Sequence, residues 1–309
     1  MLTAPTFHHL HLNSLDPDAA IDFYTEHFST TARAMWGGFP ALESPNRVLI
    51  LFTTVPTPPA TSPQTAIWHF GWHAVDARAS LETYRTRAGL QLLPLHTGDE
   101  DRTVLISSDT WSGTGGVLGR TRTQIAEAKA SALEPARNGG FAYMRGPDDA
   151  IVEYAGNYPA ERFNHVHMFQ EDPFCAQLWY QEHLDASLLP SRTGPAPSTE
   201  EDCKVPRGPD RTFPALESDG LFRTPSGGVA FGDLALPWYM RQGDQPLAST
   251  RGHLYDHFAL SVTDLDAWVD KLRNEGIDVR EGPYQLGETR AVMISGPSQE
   301  AIELVEALG

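Results

Sequence analysis

Residues Phe7–Pro17, FHHLHLNSLDP, return later in the chain as Phe163–Pro173, FNHVHMFQEDP. From His9, Asp16 lies seven positions on and Tyr24 eight further; from His165, Asp172 lies seven on and Tyr180 eight further. A strand turns alternate side chains to opposite faces. Leu10 and Leu12 therefore share one face of the first stretch, while His9, His11 and Asn13 share the other. His165, His167 and Phe169 align in the same way. The segments that follow, DPDAAIDFYTEHF and DPFCAQLWYQEHL, read as helices. Asp16 or Asp172 stands at the N-cap, Pro17 or Pro173 at the first helical position, and apolar residues recur at helical spacing.

Two further stretches open alike. In WHFGWHAVDARASLETYRTRAGLQL, Asp76 lies seven after His69; in YDHFALSVTDLDAWVDKLRNEGIDV, Asp264 lies seven after His257. Each helix stops at a glycine, Gly89 or Gly276, the residue a C′ position favours. Their modules also close alike, with Glu153 seven after Gly146 in GPDDAIVEY and Glu303 seven after Gly296 in GPSQEAIELV. FPALES occurs twice, at Phe39–Ser44 and Phe213–Ser218. The chain is thus a duplication holding four modules, each a strand, a helix and further strands. PTPPATSPQ and QGDQPLASTRG separate modules, and PSRTGPAPSTEEDCKVPRGPD interrupts the third. A long insertion in the second module carries a predicted helix near Arg122–Leu133. Its GTGGVLG neither follows a strand nor carries a lysine, so it is no phosphate loop. The expected organisation is an N-terminal domain, 1–160, with modules 5–56 and 66–157, and a C-terminal domain, 161–309, with modules 162–241 and 253–307.

Composition narrows the function. The 40 acidic residues against 23 basic ones give a formal charge of −17, and no basic cluster is present to engage phosphates, which excludes nucleic acid. No apolar run approaches the roughly 20 residues that span a bilayer. MLTAPTFHHL lacks the order of a secretory signal. Cys175 and Cys203 are too few for a disulfide framework and fit a reducing compartment. A cytoplasmic protein acting on a small molecule is expected, with homo-oligomerisation left open.

A strand-opening histidine with Asp seven on, a helix carrying Phe-Tyr, a glycine-ended helix and a GPxxxxxE closing strand resemble the vicinal oxygen chelate superfamily. That group holds glyoxalases, extradiol ring-cleaving dioxygenases, fosfomycin-inactivating thiol transferases and bleomycin-binding proteins. The resemblance covers nearly the whole chain. It implies an α+β fold of two tandem domains, each a pair of βαβββ modules forming an open barrel-like sheet around a metal site. It also implies ligands from the first strands of both partners and the last strand of one. These are His9, His69 and Glu153 in the N-terminal domain, and His165, His257 and Glu303 in the C-terminal domain. Two imidazoles and a carboxylate leave coordination positions open, which suits Fe(II) first and Mn(II), Zn(II) or Ni(II) as alternatives.

His11, His73 and His167 lie in phase with these ligands as catalytic candidates, and the remaining histidines, His8 and His27 among them, fall to the surface. Tyr143, ten positions before Glu153, resembles the extradiol tyrosine that bonds a substrate oxygen. The pattern departs elsewhere: EPARNGGFAY lacks the histidine expected upstream, Gly146 replaces an aspartate, and Met293 stands at the second tyrosine position. RVLILFTT offers no acid for a glyoxalase-type fourth ligand, and the acidic chain lacks the basic pocket of the thiol transferases. Trp68, Trp72, Trp111, Trp238 and Tyr239 are candidate walls for an aromatic substrate. The favoured expectation is an extradiol-type dioxygenase. The alternatives are a glyoxalase-type lyase or isomerase, and a non-catalytic protein that sequesters a small molecule.

Overall fold

The computed structural model describes residues 2–28, 30–84, 86–96, 103–105, 130–131, 141–156, 158–189, 199–205, 226–241 and 245–308. The predicted helix near Arg122–Leu133, GTGGVLG, Trp111 and the second FPALES lie wholly or mainly outside these residues.

The first module comprises β1 (Thr6–Ser14), α1 (Pro17–His27), β2 (Ala32–Trp36), β3 (Phe39–Glu43) and β4 (Leu49–Thr54). The second holds β5 (Ile67–His73), α2 (Ala77–Tyr84), β6 (Gln91–His96), β7 (Thr103–Leu105), β8 (Phe141–Arg145) and β9 (Ile151–Ala155). The third holds β10 (Arg162–Gln170), α3 (Pro173–Leu184), β11 (Ser187–Leu188), β12 (Ser226–Phe231) and β13 (Leu234–Met240). The fourth holds β14 (Tyr255–Val262), α4 (Leu265–Asn274), β15 (Val279–Leu286), β16 (Thr289–Ser295) and β17 (Ala301–Glu306).

The helix starts follow the spacing of the aspartates. Asp16, Asp76 and Asp264 accept from the backbone N–H three residues on, at 3.0, 3.1 and 3.0 Å, as N-caps do. Asp172 departs from this, because its carboxylate takes the Val205 N–H at 3.2 Å and ties the insertion to α3 instead. Gly276 ends α4 with φ +79°, a conformation that suits glycine. Buried Ala20, Ile21 and Tyr24 on α1, and Leu265, Trp268 and Leu272 on α4, recur at helical spacing. With Leu10 and Leu12 they belong to one continuous core.

The expected α+β architecture of two sheets, each assembled from two modules, is observed. The partners differ from expectation. The order β15-β16-β17-β14-β1-β4-β3-β2 joins the fourth module to the first, and β11-β12-β13-β10-β5-β9-β8-β6-β7 joins the third to the second. A division near residue 160 therefore does not separate the sheets; each takes one module from either half of the chain. The linkers that make the crossing touch each other. They run in opposite directions and meet at two isolated bridges, Thr65 with Ala248 and Ala60 with His253. Backbone bonds run from Ala248 N to Gln64 O and from Leu254 N to Ala60 O, both at 2.9 Å.

One phenylalanine from each opening strand meets at the junction. Phe258, Phe7, Phe163 and Phe70 stack in succession at 6.0, 6.1 and 5.6 Å between centroids. Each such contact contributes about 0.5–1.5 kcal/mol beyond area burial. Ser14 and Asp148 add a bond of 2.5 Å across the sheets, and Tyr255 Oη bonds both the N–H and the carbonyl of Ile151 at 2.8 Å.

Cys175 and Cys203 are joined in a disulfide, which does not fit the reducing compartment expected for them, because the segment before Val205 folds back onto α3. A bonded pair belongs with an oxidising environment, so the cysteines no longer argue for a cytoplasmic location. Among the described residues no helix is long and apolar enough to cross a membrane.

Candidate metal centres

Strand register builds the first centre. On antiparallel β1 and β14, His9 faces Ala259 and His11 faces His257. Parallel β17 sets Glu303 beside Ala259, so a carboxylate from the closing strand reaches across a small residue towards His9. His9 Nε2 lies 3.4 Å from Glu303 Oε2, and His257 Nε2 lies 3.8 Å from the same oxygen. All three atoms are buried without a hydrogen-bond partner among the described residues. Leaving such atoms unpaired is costly. A divalent cation would satisfy all three at once, so the residues fit a metal.

The second centre repeats the arrangement. His165 faces Gly71 and His167 faces His69 on β10 and β5, while parallel β9 sets Glu153 beside Gly71. His69 Nε2 is 3.3 Å and His165 Nε2 3.8 Å from Glu153 Oε2, and the two nitrogens are 3.4 Å apart.

The six residues expected as ligands thus converge, but as His9, His257 and Glu303 and as His69, His165 and Glu153. The expected grouping of His9 with His69 and Glu153, and of His165 with His257 and Glu303, is corrected because β1 and β5 lie in different sheets, as do β10 and β14.

Bulges orient the imidazoles. The strand register slips at His8, Trp68, Asn164 and Asp256, each immediately before a converging histidine. A bulge re-aims a side chain that would otherwise point to the opposite face. Asp256 Oδ1 thereby reaches His257 Nδ1 at 2.7 Å, His8 Nδ1 reaches His9 Nδ1 at 2.8 Å, and Asn164 Oδ1 reaches His165 Nδ1 at 3.1 Å. Trp68 has no such group to offer, and buried His69 Nδ1 has no partner among the described residues. Outer partners of this kind fix the ring and raise its basicity. His8 is thus tied to the first centre rather than left at the surface. His27 is buried too, against Phe23 and Tyr84.

The electrostatics differ between the centres. Burial pushes the His9 and His11 imidazoles well below 6.5, aided by neighbouring histidines, so both are neutral. Burial also raises the Glu303 carboxyl, outweighing His257, Tyr284 and Arg251. Burial opposes ionisation of Glu153 as well, yet the His69 hydrogen bond, His165 and Tyr143 bring it down to about 2. Burial again opposes ionisation of Asp256, but His257, the Gly252 N–H and Arg251 hold it well below the usual carboxylate range.

The remaining candidates separate. His11 stands at the first centre, its Nε2 2.7 Å from Thr53 Oγ1. His167 lies beside His69, with ring centroids 5.0 Å apart. Tyr143 donates to Glu153 Oε2 at 2.9 Å. His73 sits at the end of β5, stacked on Tyr158 at 3.4 Å and 6.2 Å from the His165 ring. Sequence patterning missed Tyr284, whose hydroxyl donates to Glu303 Oε1. It reaches Glu303 from β15, two strands away, where no local spacing announces it.

A cavity of about 340 Å³ opens on the first centre, walled by Phe39, Leu51, Leu286 and Met293 and by polar Asn13 and Thr53. Of the aromatic residues expected as walls, Trp68 and Tyr239 stand at the second centre. The Trp68 ring lies 4.3 Å from that of His69 and 5.2 Å from that of His167, and the Tyr239 ring 4.4 Å from that of His167. Trp72 and Trp238 do not line the cavity. Trp72 stacks on Phe28 in the core, Trp238 donates to Pro173 O, and Trp68 packs on Tyr143 and Phe169.

No family model matches the chain, and no curated protein matches it. Solved structures do. Glyoxalase I from Zea mays aligns over 98% of this chain and 92% of its own, with a TM-score of 0.61 at 14% identity. A putative dioxygenase from Bacillus subtilis aligns over 99% of this chain and 86% of its own, with a TM-score of 0.55 at 10% identity. At such identities the likeness establishes the fold and leaves the reaction to be argued from the site.

Proposed function

We propose that this chain, which has the vicinal oxygen chelate fold, is a divalent-metal-dependent enzyme whose first centre works on a small substrate as a glyoxalase-type lyase or isomerase. One observation carries this reading: His9 Nε2, His257 Nε2 and Glu303 Oε2 converge, buried and unpaired, at the floor of a cavity. A bound ion would polarise a substrate oxygen as a Lewis acid.

The chain's own groups do the rest. Glu303 would hold the ion through Oε2, so its other oxygen, Oε1, is the one suited to take a proton from a carbon beside a carbonyl and return it to the neighbouring carbon. Tyr284, which lines the same cavity, donates to Oε1 and fixes its orientation. Phe39, Leu51 and Leu286 exclude water and seat the apolar part of the substrate. This reading takes precedence over the extradiol expectation for a structural reason. Tyr143, which carried that resemblance, bonds the Glu153 carboxylate. The dioxygenase reading retains support at the second centre, where two imidazoles and one carboxylate meet, the set that suits Fe(II) oxygen chemistry.

Metal analysis, proton exchange and oxygen uptake decide between them. Deuterium washout from the α-carbon of 2-hydroxy ketones without oxygen consumption, lost in Glu303→Gln, is the expected result. Iron content with oxygen uptake on catechols would replace this reading with the dioxygenase. Purified protein that takes up no divalent ion would refute both.

A further inference from the structure

The two halves of the first centre are related by a rough twofold, and comparing them exposes a displaced donor. In the fourth module the ligand His257 is followed two positions on by Ala259, and the closing strand sets Glu303 beside that alanine. In the first module the ligand His9 is followed two positions on by His11, and the closing strand sets Leu51 beside it. Leu51 therefore occupies the position that mirrors Glu303 and offers no ligand atom. At the same level, one strand across, stands an imidazole where the fourth module has a methyl group. The donor has moved from the closing strand to the opening strand.

The geometry agrees. One ring nitrogen each from His9, His11 and His257 lie within 4.8 Å of one another. The His11 ring sits 4.6 Å from the His257 ring, is 5% exposed, and is braced edge-on by Phe39 at 4.8 Å. Thr53, on β4, fixes its rotation through Nε2 at 2.7 Å. Glu303 stands outside that set of three, its Oε2 3.4 Å from His9 Nε2 and 3.8 Å from His257 Nε2. The second centre differs, since its converging set is His69, Glu153 and His165, without His167.

We propose that His11 is a fourth protein ligand of the first centre, which binds its ion through three imidazoles and Glu303, whereas the second centre binds through two imidazoles and Glu153. This rests on the metal-dependent reading above and makes the centres unequal. A buried, nitrogen-rich set with an anionic partner on His257 holds borderline ions such as Zn(II) and Co(II) tightly. The second centre, with fewer donors, releases its ion first.

The test uses full-length protein carrying His165→Ala, so that only the first centre is read, titrated with Co(II) and with Zn(II) against a chelator. His11→Ala is expected to weaken binding at least tenfold, as ligand-sphere changes do, and to alter the Co(II) absorption spectrum. His11→Glu, which restores a donor at the same level, is expected to recover most of the affinity with a changed spectrum, and so separates ligation from folding. His167→Ala, made without His165→Ala, is expected to leave the ion of the second centre in place. If His11→Ala and His11→Glu keep the parental affinity and spectrum while His257→Ala loses the ion, His11 is not a ligand and the inference falls. If His257→Ala also keeps the ion, the metal centre itself is misplaced and the proposed function falls with it.

Discussion

Gly71→Ala asks whether the second centre owes its geometry to a missing methyl group. His165 faces Gly71 across the β5–β10 pair. A Cβ built there would stand 1.9 Å from His165 Cε1, 2.2 Å from Nδ1 and 2.5 Å from Nε2. Ordinary contact begins at 3.4 Å, so the imidazole must retreat by about 1.5 Å. Ligand distances tolerate only about 0.2 Å, so a retreat of that size removes His165 from the set. The remaining His69 and Glu153 are expected to hold an ion on the order of 100-fold less tightly or worse. The strain costs about 1–3 kcal/mol, typical of overpacking, and lowers the melting temperature by a few degrees. Calorimetric titration should find one tight ion per chain instead of two, with the first centre unchanged. The matching position in the first sheet is Ala259, opposite His9, so the variant also asks whether His165 can take the pose of His9. Two ions bound with parental affinity would refute the claim that the ring over Gly71 is the ligating one.

Asp256→Asn removes the anionic partner of His257 Nδ1; a 10–100-fold loss of affinity at the first centre is expected, and an unchanged titration would show that the aspartate only braces the loop. Glu300 is buried beneath Tyr180, Gln170 and the Ser298 N–H, and burial outweighs those bonds to raise its pKa above 4.5. The native chain therefore holds this proton more tightly than the unfolded one. That contribution is full below pH 4.5 and lost as pH rises through the folded value. Wild type should lose stability relative to Glu300→Gln between pH 4.5 and neutrality in urea titrations, and a gap independent of pH would overturn the assignment. Cys175→Ser opens a loop with a sequence separation of 28 residues, and chain entropy puts the cost at about 3–4 kcal/mol; both ions should still bind, and a variant as stable as wild type under oxidising conditions would show that the bond contributes nothing.

Each module is written in its own stretch of residues, because the signals that make one are local. Period-two alternation turned His9, His11 and Asn13 towards the cavity that they line, aspartates seven residues on capped three helices, and GPxxxxxE phased both closing carboxylates. Which module closes on which was not written there. Four opening strands of nearly the same pattern are interchangeable partners as far as local physics is concerned. The pairing of β1 with β14 and of β5 with β10 appears only in the folded chain, where the two linkers meet at isolated bridges. Three-dimensional packing also decided what no spacing announces: bulges that swing Asp256 and His8 onto their neighbours' rings, Tyr284 reaching from two strands away, and Trp72 and Trp238 turned into the core. Contacts inside one strand or helix depend on residues a few positions apart, whereas a shared ion depends on edges that meet only after the chain has folded.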